Sequence, residues 1–236
     1  MKNKKKLTAA ERAARQEEKD RVFYLRVHKL LTGFLRFAFR LKPTGVEENL
    51  PPEGACLICA NHISAADFIS VAAVCRRRVR FLAKIELFRI PVIGWLMRRL
   101  GAVSVDRGGS DVGAIRKMLA LLEAGEAVSV FPQGHRYKGK NPADTPIKDG
   151  AGMLAVRAGC PVVPVCIKVK KERYALFRRV DVIYGAPIPP EELIDPALTG
   201  RDAYRAASRK IFDRICALGG YEPTAKESKQ ETENPQ

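Results

Sequence analysis

A histidine, a hydroxyl and a carboxylate lie close together in the octapeptide Asn61-His62-Ile63-Ser64-Ala65-Ala66-Asp67-Phe68. Histidine can take up and return a proton near neutrality, because its ordinary pKa is about 6.5. A carboxylate beside one ring nitrogen fixes the tautomer and stabilises the imidazolium that forms on proton uptake. His62 follows the apolar run Ala55-Cys56-Leu57-Ile58-Cys59-Ala60, which reads as a buried strand. It therefore falls at a strand's carboxyl end, where open α/β sheets bind their ligands. Asp67 falls in the first turn of the next helix and can fold back toward the imidazole. In this reading His62 is a general base and Asp67 its orienting partner. A second reading uses the same residues: Ser64-x-x-Asp67 is also a capping-box pattern, and His62 is then a loop residue. On the octapeptide alone the two are balanced. A hydrolase built on Ser64 is disfavoured, because Ser64 stands two residues from His62 and lacks a G-x-S-x-G elbow.

The elements that must position these groups alternate along the chain. Short apolar runs at 55–60, 79–83, 102–105, 126–131, 161–167 and 180–184 read as strands. Helical patterns at 65–75, 92–99, 110–124, 150–158 and 201–218 fall between and after them. That rhythm predicts an α/β fold: a mostly parallel, twisted sheet flanked by helices. The helix at 110–124 has Ser110 as a cap and Gly125 just past its end. The loop 132–149 is long for a compact domain, and such loops are often functional.

Before the sheet, residues 1–42 read as a basic amphipathic helical segment for membrane association. Its first half, 2–21, is highly charged and reads as a solvated helix or a frayed arm. Over 22–42, Phe23, Val27, Leu30, Phe34 and Leu41 recur at helical spacing with Arg26, Lys29, Arg36 and Arg40 elsewhere, which suits a membrane interface. Packing on the protein's own domain is the alternative. Gly33 is a place for a bend, and Pro43 ends the helix. The α/β domain then occupies 43–221, and 222–236 is a polar tail expected to be disordered.

Composition narrows the partners. Lys and Arg outnumber Asp and Glu 42 to 26, for a net charge of +16, and such an excess must face something negative. Nucleic acid, an anionic membrane surface and phosphate-bearing substrates are the candidates. No helix-turn-helix, zinc-finger or RNA-recognition signature is present, and aromatic residues are not interleaved with the basic clusters as stacking platforms. Nucleic acid is therefore not expected as a partner. The six cysteines, at 56, 59, 75, 160, 166 and 216, lie in apolar segments and read as buried, reduced thiols. Cys56 and Cys59 form a C-x-x-C, but on a strand residues three apart point to opposite faces, which argues against a shared metal. No run approaches the roughly 18–20 apolar residues of a membrane span, and no apolar core follows the basic start as a signal peptide requires. The expected location is cytoplasmic, peripheral on the inner face of the cell membrane.

Further blocks break the balance at the octapeptide. N-H-x-S-x-x-D resembles the first motif of the glycerolipid acyltransferases, the 1-acylglycerol-3-phosphate acyltransferases and their relatives. Phe81-Leu82-Ala83-Lys84-Ile85-Glu86-Leu87-Phe88, followed by Ile90-Pro91-Val92-Ile93-Gly94, resembles the family's A-K-x-E-L-F and I-P-x-x-G stretch. Gly101-Ala102-Val103-Ser104-Val105-Asp106-Arg107 resembles its second block, and Phe131-Pro132-Gln133-Gly134-His135-Arg136 its F-P-E-G-T-R block. Lys148-Asp149-Gly150-Ala151 and Val162-Val163-Pro164-Val165 resemble the last two. The resemblance covers about 50–187 and keeps the family's order.

The resemblance implies an acyltransferase that moves a fatty acyl group to the sn-2 hydroxyl of 1-acylglycerol-3-phosphate, giving phosphatidic acid for phospholipid biosynthesis. Acyl-CoA or acyl carrier protein would be the co-substrate, with no metal or other cofactor. His62 would take the hydroxyl proton as the oxygen attacks a thioester. Gly134, whose backbone can approach closely, is a candidate oxyanion donor. Arg136 can hold a phosphate bidentately, and Lys84 joins that site by resemblance, with Arg107 as a further candidate. Gln133 stands where the family usually has Glu, and His135 where it has Thr. If the family's carboxylate meets the glycerol of the acceptor, Gln133 opens the acceptor to other lysolipids, such as a lyso-ornithine lipid or another lysophospholipid. His135 either shapes the acceptor pocket or fills a loop position. From a different class, the charge also fits a non-catalytic basic membrane-binding protein.

Overall fold

The run Cys56–Ala60 is apolar at every position, and each of its residues is buried. A strand of that kind must be covered on both faces. Cys56, Ile58 and Ala60 pack into one hydrophobic cluster, Leu57 and Cys59 into another. The two cysteines of the C-x-x-C thus lie on opposite faces, and all six thiols are free and buried. Burial pushes the Cys75 thiol up to about 12, which leaves it unreactive at neutral pH.

The computed structural model describes residues 8–75, 77–105 and 112–224. Among these, the chain runs α1 (Ala9–Ala38), β1 (Leu41–Thr44), α2 (Val46–Asn49), β2 (Cys56–Ala60), α3 (Asp67–Val74), β3 (Val79–Lys84), α4 (Ile85–Arg89), α5 (Pro91–Arg99) and β4 (Val103–Val105). It continues through α6 (Val112–Glu123), β5 (Ala127–Val130), α7 (Gly150–Ala158), β6 (Val162–Val169), β7 (Val180–Tyr184), α8 (Pro190–Leu193) and α9 (Gly200–Gly219). The strands form one sheet of order β1-β7-β6-β2-β5-β3-β4, parallel throughout except for the antiparallel β6–β7 pair. Met118 and Leu122 of α6, Leu154 of α7 and Ile211, Phe212 and Ile215 of α9 cover one face. Val46 of α2 and Val71 and Ala73 of α3 cover the other. This is the mostly parallel α/β fold expected from the alternating pattern.

Three local expectations change. The N-terminal helix ends at Ala38, not at Pro43, and Leu41–Thr44 pairs in parallel with β7 as the sheet's edge strand. Pro43 fits there because an edge strand has one row of amides without ladder partners. The helix is assigned as one element through Gly33. Its charged first half is no free arm: Glu17 accepts hydrogen bonds from Arg78 at 2.6 Å and Arg80 at 2.5 Å. Asp20 pairs with Arg99 at 3.4 Å, and Phe23 meets Trp95 edge-on at 5.4 Å. Arg77, just before β3, donates to the carbonyls of Pro51 and Gly125, both at 3.0 Å. Finally, Glu222 and Thr224, assigned to the tail by sequence, are tied to the loop at 141–144: Asn141 donates to the Glu222 carbonyl at 2.7 Å and the Thr224 amide to Asp144 at 2.9 Å. The expectations for 1–7, for Ser110 and for 225–236 lie outside the described residues.

Candidate active site

Strand β2 delivers His62 to the carboxyl edge of the sheet, and α3 opens five residues later with Asp67. His62 Nδ1 and Asp67 Oδ2 are 2.7 Å apart. The same carboxylate oxygen accepts the amides of Ile63 at 2.7 Å and Ser64 at 2.8 Å. Asp67 is fully buried; these donors replace the water lost at Oδ2, while Oδ1 has no hydrogen-bond partner among the described residues. Ser64 Oγ accepts the Ala66 amide at 3.2 Å, within the turn that leads into α3. The capping and dyad readings therefore coexist: the Asp67 oxygen that satisfies the turn's amides also faces the imidazole. With Nδ1 held by a carboxylate, the proton sits on Nδ1 and Nε2 carries the lone pair. Nε2 has no hydrogen bond among the described residues.

The loop after β5 grips His62 from the other side. Gln133 Oε1 accepts the His62 amide at 2.5 Å, and the His62 carbonyl accepts the Tyr137 amide at 2.9 Å. Phe131 stacks on the imidazole, with centroids 4.1 Å apart and planes 13° from parallel. Gln133 Nε2 in turn donates to Thr145 Oγ1 at 2.6 Å, and Thr145 Oγ1 donates to the Pro142 carbonyl at 2.6 Å. This chain has one consistent direction. A carbonyl can only accept, so Thr145 must give its proton to Pro142 and receive one from the Gln133 amide. A glutamate has no proton to give in that place.

Two sequence expectations are corrected here. Gln133 was a candidate substrate contact, but it is 1% exposed and both ends of its amide are occupied within the protein. Its place is behind His62, and it offers no reason for a different acceptor. Gly134 was a candidate oxyanion donor, but its N–H closes a turn onto the Phe131 carbonyl at 2.9 Å. What glycine supplies is its conformation, φ +67°, at a place where a Cβ would come within 2.9 Å of the Lys148 side chain. The next two amides, of His135 and Arg136, have no hydrogen bond among the described residues.

Arg136 lines a cleft of about 380 Å³ with Lys138, Tyr174 and the Ile63–Ala65 segment. Arg136 and Lys138 are exposed and have no ion-pair partner among the described residues. Tyr174 donates to or accepts from Ser70 Oγ at 3.1 Å, and burial, then the Asp67 charge, push its hydroxyl well above the ordinary tyrosine range. Lys84 ends β3, which lies beside β5, itself beside β2. Lys84, His62 and Arg136 therefore sit at or just past the carboxyl ends of three adjacent parallel strands. Lys84 is exposed, and Arg107, just past β4, lies outside the described residues. His135 is exposed and is not part of the cleft wall. Sequence reasoning missed Phe131, Tyr137, Thr145 and Tyr174. Only Phe131 carried a signal, as an aromatic residue opening a motif block.

A second, apolar cavity of about 170 Å³ lies between α1, α3, β3 and α5, walled by Val27, Phe68, Ile69, Phe81, Leu96 and Met97 among others. Phe68 adjoins Asp67, which puts one wall of this cavity next to the dyad. Among the described residues no three His, Cys, Asp or Glu side chains gather into a metal-binding group.

A mostly parallel sheet with a His–Asp pair at its carboxyl edge, beside exposed cations, suits a group-transfer enzyme, and comparison with known proteins gives the family. The Acyltransferase family model matches residues 44–168. A 1-acyl-sn-glycerol-3-phosphate acyltransferase of Bacillus subtilis (strain 168) is 30% identical over 175 residues, covering 73% of this chain and 85% of that protein. A chloroplastic enzyme of the same name, BAT2, from Brassica napus is 34% identical over 123 residues, covering 51% of this chain and 35% of that protein. Among solved structures, the 1-acyl-sn-glycerophosphate (LPA) acyltransferase PlsC of Thermotoga maritima superposes with a TM-score of 0.59 at 23% identity, covering 92% of this chain and 86% of that one, a likeness of fold. The chain belongs to the acyltransferase family and, within it, to the 1-acylglycerol-3-phosphate acyltransferases.

Proposed function

We propose that this acyltransferase esterifies the sn-2 hydroxyl of 1-acylglycerol-3-phosphate, taking the acyl group from acyl-CoA or acyl carrier protein and releasing phosphatidic acid. The observation that carries this reading is the contact of His62 Nδ1 with Asp67 at 2.7 Å, with Nε2 unengaged, beside a cleft lined by Arg136. His62 Nε2 takes the hydroxyl proton as the oxygen attacks the thioester carbonyl. The C–O bond forms and the carbonyl oxygen becomes an oxyanion. When that oxyanion collapses, the C–S bond breaks, and the departing thiolate receives the proton from the imidazolium. Asp67 holds the imidazole in register and stabilises its charged form in between.

Oxyanion stabilisation requires donors aimed at the developing charge. The amides of His135 and Arg136 are the ones that the turn at Gly134 leaves open. Arg136, with Lys138 and Lys84, receives the acceptor's phosphate, whose charge and geometry suit a guanidinium fork. The apolar cavity beside Phe68 accepts an acyl chain. The chemistry needs no metal or prosthetic group.

No helix among the described residues is long and apolar enough to cross a membrane. The attachment proposed is peripheral, at the cytoplasmic face of the cell membrane, through the basic N-terminal segment; exposed Phe34 and Phe37 on α1 support it. The test is an acyl-transfer assay of the purified protein against a panel of lysolipids, with both donors. Turnover restricted to 1-acylglycerol-3-phosphate supports the reading, whereas preference for a lysolipid without a terminal phosphate contradicts it.

A further inference from the structure

Four non-glycine residues among those described have positive φ: Arg40 at 41°, Lys171 at 59°, Glu172 at 46° and Phe177 at 59°. A bulky side chain in that region is a backbone outlier that its surroundings must enforce. All four fall in two segments, the end of α1 and the 170–179 connection from β6 to β7, and these segments touch. The Phe177 amide donates to the Ala38 carbonyl at 2.7 Å, and the Phe37 and Phe177 rings meet edge-on at 5.6 Å. Arg178 locks the connection by donating to the carbonyls of Arg173 at 2.9 Å and Lys170 at 3.2 Å.

This strained, braced backbone does not bury its apolar residues. Phe37 is 69% exposed, Phe34 65%, Leu176 64% and Phe177 53%. Holding large apolar side chains out in water is unfavourable unless something covers them. Around them stand exposed cations: Arg36 and Arg40 from the first segment, Lys171 and Arg173 from the second. The nearby carboxylates are engaged, Glu172 by Tyr221 at 2.9 Å and Asp181 by Arg179 at 2.8 Å. An apolar tip ringed by positive charge complements an anionic lipid surface, with the rings among the acyl chains and the cations at the headgroups.

The same connection reaches the active-site cleft. Tyr174, three residues before Phe177, lines that cleft, and Phe39 packs on it edge-on at 5.7 Å. We propose that residues 170–179, with the end of α1, form a bilayer-inserting tip that seats the cleft mouth on an anionic leaflet. An amphiphilic acceptor then passes from the membrane to His62 without entering bulk water. The binding part stands on the surface alone, and the delivery part rests on the lysolipid reading above.

Phe177→Gly combined with Leu176→Ser is the informative variant. Glycine adopts the left-handed backbone at 177 freely, so the change removes the apolar side chains that 170–179 contributes to the tip while relieving strain. Two measurements are made with the full chain: co-sedimentation with vesicles of phosphatidylglycerol and phosphatidylcholine, and acyl transfer to a lysolipid either embedded in those vesicles or water-soluble through a short chain. The expected result is a partition coefficient reduced about tenfold or more, a matching fall in turnover of the embedded acceptor, and unchanged turnover of the soluble one. Vesicle binding equal to wild type overturns the proposal, as does equal wild-type binding to pure phosphatidylcholine. A wild-type dimer in solution that the variant abolishes also overturns it, because a second copy would then be what covers the tip. Absence of transfer to any lysolipid would sink the lysolipid reading and leave the vesicle result intact.

Discussion

The two sides of the site are built in opposite ways. On the base side the groups that orient the imidazole are engaged: Asp67 Oδ2 faces three donors, the His62 peptide is held at both its N–H and its C=O, and Gln133 is closed off behind it. On the cation side, Arg136, Lys138 and Lys84 are exposed and without ion-pair partners among the described residues. A group that must present one nitrogen at one angle needs a fixed surround, because small displacements of a base cost large factors in rate. A group that must grip an incoming anion needs its hydrogen-bonding capacity unused until the ligand arrives. Substitutions on the base side should therefore act on kcat, and those on the cation side on the acceptor KM.

The sharpest way to break this contrast is Asp67→Asn. Its size is unchanged, but the amide can present a donor to Nδ1 and invert the imidazole tautomer. We expect kcat to fall about 10²–10³-fold with KM little changed, read from steady-state kinetics. Arg136→Ala should raise the acceptor KM about 10–100-fold, the range for losing a charge-assisted hydrogen bond, with the donor KM unaffected. Equal effects on both substrates would place Arg136 elsewhere. Gln133→Ala leaves the buried His62 amide unpaired, so we expect about 1–3 kcal/mol of lost stability by thermal or denaturant unfolding and roughly tenfold lower kcat. Gln133→Glu should not rescue function here, since Thr145 has already committed its proton to Pro142. Lys84→Ala should be the mildest, a few-fold rise in acceptor KM, because an exposed ammonium on a flexible stem is a weaker clamp than a guanidinium.

Much of the base side was legible in the sequence because it is local. The strand, the turn and the first residue of α3 lie within twelve residues, Cys56 to Asp67, and their types state their conformations. What supports them was not. Gln133 meets the His62 amide across 71 positions, and nothing in its own neighbourhood marks it as a structural amide. Its motif position suggested a substrate contact, and burial reverses that. Gly134 was a candidate oxyanion donor because a glycine backbone can approach closely, but what the glycine serves is its turn and the packing of Lys148, not its own N–H. Strand β1 was hidden for a similar reason. Leu41-Lys42-Pro43-Thr44 has neither the length nor the alternation of a strand, and only pairing with β7, far along the chain, makes it one. The charged start of α1 read as a solvated helix or a frayed arm because Glu17 and Asp20 look like surface charge until Arg78, Arg80 and Arg99 are placed beside them. The alternation of strands and helices, by contrast, depends on patterns inside each segment, and it gave the fold class and the carboxyl edge on which the site lies.

The central claim is that His62 Nε2 removes the proton from the acceptor hydroxyl. Single-turnover acyl transfer by His62→Ala, run beside its unfolding curve, tests it most directly. The account predicts a rate lower by about 10³-fold or more with unfolding close to wild type, since the His62 peptide keeps its bonds to Gln133 and Tyr137. Turnover near the wild-type rate in a folded His62→Ala protein would contradict it.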